Sequence, residues 1–348
     1  MKALVYHGPH QMAWEDWPEP APRSGEVVMA VRAVGICGSD LHGYTGASGR
    51  REPPMVMGHE ATGEVISVGP EVSKNYLGKR FVIRPNVVCG TCEQCRTGNA
   101  NLCKNRYLIG MKAPGAMAER VAVPVDNLLP LPSEIDFVTG TLVEPLAVGV
   151  RAAKQAGDLS GKSVFIAGCG PIGLLTMVAA RHFGAGRVFM TDVLPKRRRV
   201  AHELGADEVF DPTQDGWMER MNRVSGREGL EAAFDAVGIQ ATFDQALQSV
   251  HVQGLVVAIG GWRSVTLDLG WIVGRELHIA GSLNYTPGDF SLAHRLLMDG
   301  TFDPGPIVTD QYPLQSGEEV FRKLVQERNE SIKVVLTYPD PLLERSRS

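Results

Sequence analysis

The chain has 348 residues, enough for two compact units that each bury a core. Its formal charge is −4, with acidic and basic residues interspersed, so it lacks the clustered basic excess of a nucleic-acid surface. Thirty-nine glycines imply many tight turns and close backbone approaches, as α/β nucleotide-binding proteins use.

Met1 to Gly8 has too short an apolar run for a signal peptide and reads as a first strand. Val27 to Val31, Ala61 to Val68 and Arg80 to Ile83 follow as short β-type runs between Gly and Pro. Residues 1 to about 130 therefore read as a mostly β domain. From Ser163 the rhythm changes. Strand-like runs at Val164–Ala167, Arg187–Thr191, Glu208–Phe210, Glu231–Val237, Leu255–Ile259 and Leu277–Ile279 alternate with helical stretches. Such alternation signals βαβ units and a doubly wound parallel sheet. Helices are expected over Phe290–Asp299 and Gly317–Gln326, a last strand over Ile332–Thr337, and a frayed charged tail over Leu342–Ser348. Val164 to Ala180 is uncharged, but Gly168, Gly170, Pro171 and Gly173 punctuate it, so a strand, a turn and a helix fit better than a membrane span. A cytoplasmic, soluble protein is expected, with neither nucleic acid nor membrane as partner.

Gly168-Cys169-Gly170-Pro171-Ile172-Gly173 is a G-x-G-x-x-G that directly follows a strand-like run and opens a helix reaching about Phe183. A second strand ends near Asp192, nineteen residues after the last glycine. That context is what a dinucleotide fingerprint requires. The glycines admit the pyrophosphate to backbone N–H groups at the helix N-terminus, and Asp192 would accept from the adenosine ribose hydroxyls. An aspartate there would repel a 2′-phosphate, so NAD is expected rather than NADP. Lys196-Arg197-Arg198-Arg199 could hold such a phosphate or form a solvated helix face, and Arg197 is the candidate cofactor contact from this run. Val237 and Ile259, at the ends of later strand-like runs, complete the candidate cofactor site.

Six cysteines stand at 37, 89, 92, 95, 103 and 169. Cys89, Cys92, Cys95 and Cys103 fall within fifteen residues, a spacing that lets four thiolates close a tetrahedron around structural Zn²⁺. An iron–sulfur cluster and a redox dithiol are the competing readings of that spacing. A catalytic metal must keep a position open. Cys37, in Cys37-Gly-Ser-Asp-Leu-His42, supplies a thiolate, and Gly58-His59-Glu60 an imidazole and a carboxylate. Glu144-Pro145-Leu146 offers a second carboxylate. Spacing alone does not assemble these into one site.

Taken in this order, the motifs resemble the zinc-containing medium-chain alcohol dehydrogenases, and within them the sorbitol, butanediol and threonine dehydrogenase branch. The resemblance covers nearly the whole chain. It implies a GroES-like catalytic domain from residues 1–148 and 286–348, interrupted by a Rossmann NAD-binding domain at 149–285. It implies a catalytic zinc on Cys37, His59 and either Glu60 or Glu144, a second zinc on the four-cysteine lobe, and a homodimer or homotetramer. Ser39 matches the hydroxyl that takes the alcohol proton, and His42 the imidazole that passes it to solvent by way of the cofactor ribose. Glu60 is counted with these catalytic groups as well as with the ligands. By position, Tyr44 and Asn284, with Arg50 behind them, are candidates for substrate contact. Asn284-Tyr285 stands where polyol dehydrogenases commonly place Arg-Tyr, which disfavours sorbitol itself, and Glu144-Pro145-Leu146 disfavours threonine. The implied reaction is hydride transfer between NAD(H) and the carbinol carbon of a small polyol, vicinal diol or other secondary alcohol. The alternatives are a threonine or sugar-acid dehydrogenase and a zinc-free quinone or enoyl reductase of the same fold.

Overall fold

The computed structural model describes residues 1–226, 228–261, 264–326 and 330–338, so the expected tail Leu342–Ser348 lies outside it. Two compact units emerge, Met1–Glu144 with His294–Ser348, and Pro145–Ala293. Among the described residues no helix is long and apolar enough to cross a membrane.

The first unit is built on the strand Glu26–Gly35, whose four valines and Met29 suit a position covered on both faces. Val27, Met29 and Val34 are fully buried there, each worth about 1.5–3 kcal/mol relative to exposure. In spatial order the sheet runs Leu128–Pro130, Arg80–Ile83, Glu60–Val68, Glu26–Gly35, Lys333–Thr337 and Val308–Pro313. One edge of Glu26–Gly35 serves two partners. Arg120–Pro124 pairs with its first half, and Lys333–Thr337 with its end, placing Val335 opposite Gly35. The other edge pairs antiparallel with Glu60–Val68, placing Glu60 opposite Gly35. Residues far apart in the chain thus meet at Gly35. A smaller sheet of Gln11–Asp16, Lys2–Gly8 and Met55–Val56 completes the layering.

The second unit holds six parallel strands in the order Glu208–Phe210, Arg187–Thr191, Ser163–Ala167, Leu230–Asp235, Val250–Ala258 and His278–Gly281. Numbered along the chain this is 3-2-1-4-5-6, the dinucleotide-binding order. Two elements differ from the sequence expectation for identifiable reasons. The strand expected to reach Val237 stops at Asp235, because the Asp235 carboxylate accepts from the N–H groups of Val237 and Gly238, each at 3.0 Å, and turns the chain. The helix expected from Phe290 begins at Pro287. Thr286 and Asp289 cap it reciprocally, Thr286 N–H donating to Asp289 Oδ2 at 2.9 Å and Asp289 N–H to Thr286 Oγ1 at 3.2 Å. Apolar periodicity starts only after that polar first turn.

Candidate active site and metal centres

After Gly35 the chain passes through Cys37, which caps the helix Gly38–Tyr44 in an extended conformation (φ −89°, ψ 152°). The Asp40 carboxylate closes that turn, its Oδ2 accepting the Cys37 N–H at 3.1 Å. Because Glu60 pairs with Gly35 across the sheet, His59 and Glu60 arrive beside Cys37. The ligand atoms of Cys37, His59 and Glu60 lie within 4.8 Å of one another. A thiolate, an imidazole and a carboxylate in that compass fit a zinc ion that keeps a position for substrate. Glu144 falls outside this cluster. It is buried in the first turn of the helix Val143–Gln155, close enough for its charge to act on Lys333.

Two buried cations organise these groups. Arg51 donates to Asp40 Oδ1 at 2.8 Å, to the Ser39 carbonyl at 3.4 Å and to the Gly110 carbonyl. The same Asp40 oxygen faces His59 Nδ1 at 3.5 Å. Burial alone would raise Asp40, but His59, Arg51 and the Cys37 N–H together hold it below the usual carboxylate range. Burial would lower His59, yet the Asp40 carboxylate and Cys37 outweigh it and push the imidazole well above its ordinary value. Lys333 donates to both Glu60 oxygens, at 2.8 and 2.6 Å, and to the Ile36 carbonyl at 3.1 Å. Here too burial acts downward, and the charges of Glu60, Cys37 and Glu144 prevail, holding the ammonium above the ordinary lysine value. Sequence reading singled out neither cation. Arg51 follows Arg50, a candidate only for substrate contact, and Lys333 falls inside the strand expected over Ile332–Thr337. The available signal was a lysine beside the apolar run Val334-Val335-Leu336 of a buried strand.

Ser39 is half-buried and His42 exposed, three residues apart and so neighbours on one face of their helix. Tyr44 requires a correction. It is 4% exposed, its hydroxyl donates to the His10 carbonyl at 3.4 Å, and its ring packs edge-on against His10 and Phe321. Core packing uses the whole side chain, leaving no surface for substrate. Arg50 is exposed. Asn284 is half-buried in the second unit, with a left-handed φ of 46°.

The four-cysteine lobe brings its sulfurs together at 3.5 Å (Cys103–Cys89), 3.6 Å (Cys92–Cys95) and 4.0 Å (Cys89–Cys95). Zinc–sulfur bonds of about 2.3 Å in a tetrahedron give edges of about 3.8 Å, so the thiols fit the ion. Their ionisations conflict without it. Backbone N–H groups of Thr91 and Cys92 pull Cys89 down to about 5, whereas burial pushes Cys95 up to about 12. A divalent cation is what allows four thiolates to coexist.

In the second unit the glycine loop joins Ser163–Ala167 to the helix Pro171–His182, with Pro171 in its first turn. A Cβ on Gly173 would collide with the Gly168 carbonyl, so only glycine allows this turn. Asp192 sits against the loop, Oδ2 accepting from Cys169 N–H at 2.9 Å and Oδ1 from Leu194 N–H at 2.8 Å. Val237 lies against Gly168, and Ile259 N–H donates to the Asp235 carbonyl at 3.0 Å. Arg197 Nη1 approaches Gly170, with 3.9 Å to the place a Cβ there would take. Arg198 is committed elsewhere, to the Asp192 carbonyl at 2.7 Å and Asp211 at 3.1 Å.

The alcohol dehydrogenase GroES-like domain matches residues 23–133 and the zinc-binding dehydrogenase domain residues 171–299. The chain belongs to the zinc-containing medium-chain dehydrogenase family, with a GroES-like domain and a Rossmann domain. It is 33% identical to the sorbitol dehydrogenase of Bacillus subtilis (strain 168), covering 98% of each chain. It is also similar to a zinc-binding dehydrogenase from Sinorhizobium meliloti 1021 bound to NADP. That match has a TM-score of 0.89 and 29% identity, covering 97% of this chain and 98% of that one. An alcohol dehydrogenase from E. coli CFT073 complexed with NADH matches with a TM-score of 0.89 at 26% identity, covering 97% and 99%.

Proposed function

We propose that this chain is a zinc-dependent dehydrogenase transferring hydride between NAD(H) and the carbinol carbon of a small polyol, vicinal diol or other secondary alcohol. The observation that carries the reading is the meeting of Cys37, His59 and Glu60 within 4.8 Å, with Cys37 two residues before Ser39. The sorbitol dehydrogenase relative supports a polyol or a chemically similar alcohol.

Cys37, His59 and a carboxylate, Glu60 or Glu144, would hold the catalytic zinc, and Cys89, Cys92, Cys95 and Cys103 the structural one. Zinc, when bound, supplies the Lewis acidity that can lower the pKa of a bound water from about 16 to about 7. Ser39 Oγ would take the alcohol proton while its own hydroxyl proton passes, by way of the cofactor ribose, to the exposed His42 imidazole and on to solvent. Asp40 holds the His59 ring, and Arg51 braces both Asp40 and the Ser39 backbone. The glycine loop takes the cofactor pyrophosphate. Asp192 favours NAD over NADP, since its carboxylate would meet a 2′-phosphate while Arg198 is already engaged. Asn284 remains a candidate for substrate contact.

A homodimer or homotetramer is supported by the His278–Gly281 strand, which ends its sheet with His278 and Ile279 exposed, and by Leu269 and Val273, 68% and 74% exposed. Six free cysteines, four of them in one thiol cluster, suit the reducing cytoplasm.

A screen at 340 nm tests the reading, with NAD and NADP each offered against polyols, 2,3-butanediol, threonine, sugar acids and simple secondary alcohols. Reduction of NAD by a polyol or diol, abolished by a zinc chelator, is the expected result. Turnover that survives both chelation and Cys37→Ser would sink it in favour of a zinc-free reductase.

A further inference from the structure

Lys333 is the buried group that the reaction outlined above leaves without a task. Its side chain is 2% exposed and that of Glu60 1% exposed. All three ammonium hydrogens are used, two on the Glu60 oxygens and one on the carbonyl of Ile36, the residue before Cys37. The sheet register builds this contact. Gly35 faces Glu60 on one neighbouring strand and Val335 on the other, and Lys333 stands two residues from Val335 on the same strand. A Cβ on Gly35 would collide with Glu60 Oε2, so the glycine clears the path between carboxylate and ammonium.

Charge gives the pair a purpose beyond packing. Lys333 lies within electrostatic reach of Glu60, Cys37 and Glu144. Counted as ionised, three acids and one ammonium sum to −2, which a divalent zinc ion brings to zero. Without Lys333 the loaded site would carry −1. Oxidation of an alcohol asks this site to accept an anion, the deprotonated alcohol, and an excess negative charge in a buried, low-dielectric setting opposes that.

We propose that Lys333 is a positioning and charge-balancing residue for the metal centre: it orients Glu60 and cancels its charge, so that the metal at Cys37 and His59 favours an anionic ligand. This rests on the metal assignment proposed above. It holds whether Glu60 touches the metal directly or stands behind it, because either arrangement places the same two opposite charges beside the ion.

The test uses full-length enzyme carrying zinc in the four-cysteine lobe and cobalt at the Cys37 site, with Cys37→Ser protein as the spectral baseline. Azide stands in for the anion and imidazole for a neutral ligand, each titrated through the cobalt visible bands. Lys333→Met is expected to weaken azide about tenfold or more while moving imidazole by less than about twofold. Glu60→Gln in the native background is expected to do the opposite and tighten azide, which keeps the proposal exposed if Lys333→Met does not fold. The Lys333→Met/Glu60→Gln double variant, free of both charges, should return azide affinity near the native value. Parallel changes in azide and imidazole, or azide affinity indifferent to both substitutions, would overturn the proposal. A native enzyme with no Cys37-dependent cobalt band would instead overturn the metal assignment itself.

Discussion

The two candidate metal centres solve opposite problems. The lobe draws four identical donors from one fifteen-residue stretch, three of them half-buried, and supports them with little beyond backbone N–H groups. The Cys37 cluster draws three different donors from two separate chain segments, Cys37 from one and the adjacent His59 and Glu60 from the other, buries two of them, and surrounds them with Asp40, Arg51 and Lys333. A closed structural site needs only ligand number and geometry. An open site must also hold its donors in place while one position changes occupant, and that requires a second layer of fixed charge.

The sharpest way to break this comparison is Cys37→Ser. Removing the thiolate should cost about four orders of magnitude in kcat, because the Lewis acid goes with it, while zinc content should fall by one ion per chain. Turnover assays and metal analysis on one preparation check both. Cys95→Ser is the mirror experiment. It should also remove one zinc, but the loss should appear as a lower Tm and protease sensitivity near residues 89–103, with kcat per folded molecule within about tenfold of native. If Cys95→Ser were as damaging to kcat as Cys37→Ser, the division into structural and catalytic centres would be wrong.

The same contrast explains what the sequence could reveal. The lobe is legible because its spacing is local, and the glycine loop because a strand, six residues and a helix suffice to define it. Chain order also conveys the parallel sheet, through the alternation after Ser163. Cys37, His59 and Glu60 come together only through pairing at Gly35, a long-range register that periodicity does not encode. Lys333 arrives from the other neighbour of Gly35, nearly three hundred residues away, so nothing local marks it. Tyr44 failed as a substrate candidate for a related reason. Its place on the helix after Cys37 suggested the site, whereas contacts with His10 and Phe321, from distant segments, determine where its ring goes.

A smaller effect sharpens the role of the second layer. Asp40→Asn keeps the shape but removes the charge that His59 and Arg51 share. Zinc affinity at the Cys37 site should fall by about ten- to a hundredfold, the usual scale for such partners, with the lobe unaffected. Competition with a chromogenic chelator measures it. Equal weakening at both centres would point to general unfolding instead.

The last prediction concerns pH and runs in a fixed direction. In the metal-free site the Asp40 carboxylate and Cys37 hold the His59 imidazole protonated to a pH well above its ordinary value. Zinc binds only the neutral ring, so each binding event must displace that proton. Affinity at the Cys37 site should therefore fall as pH falls, by up to about tenfold per unit for this one proton. The decline should set in while the pH is still above the usual histidine range. Asp40→Asn removes the first of the two interactions that raise His59, so burial regains influence and the onset should move to lower pH even as overall affinity drops. Zinc titrations at fixed chelator concentration between pH 6 and 9, run on both proteins, decide the matter. A native site whose affinity follows the ordinary histidine value, or an Asp40→Asn onset that does not move, would show that Asp40 holds the ring by shape and not by charge.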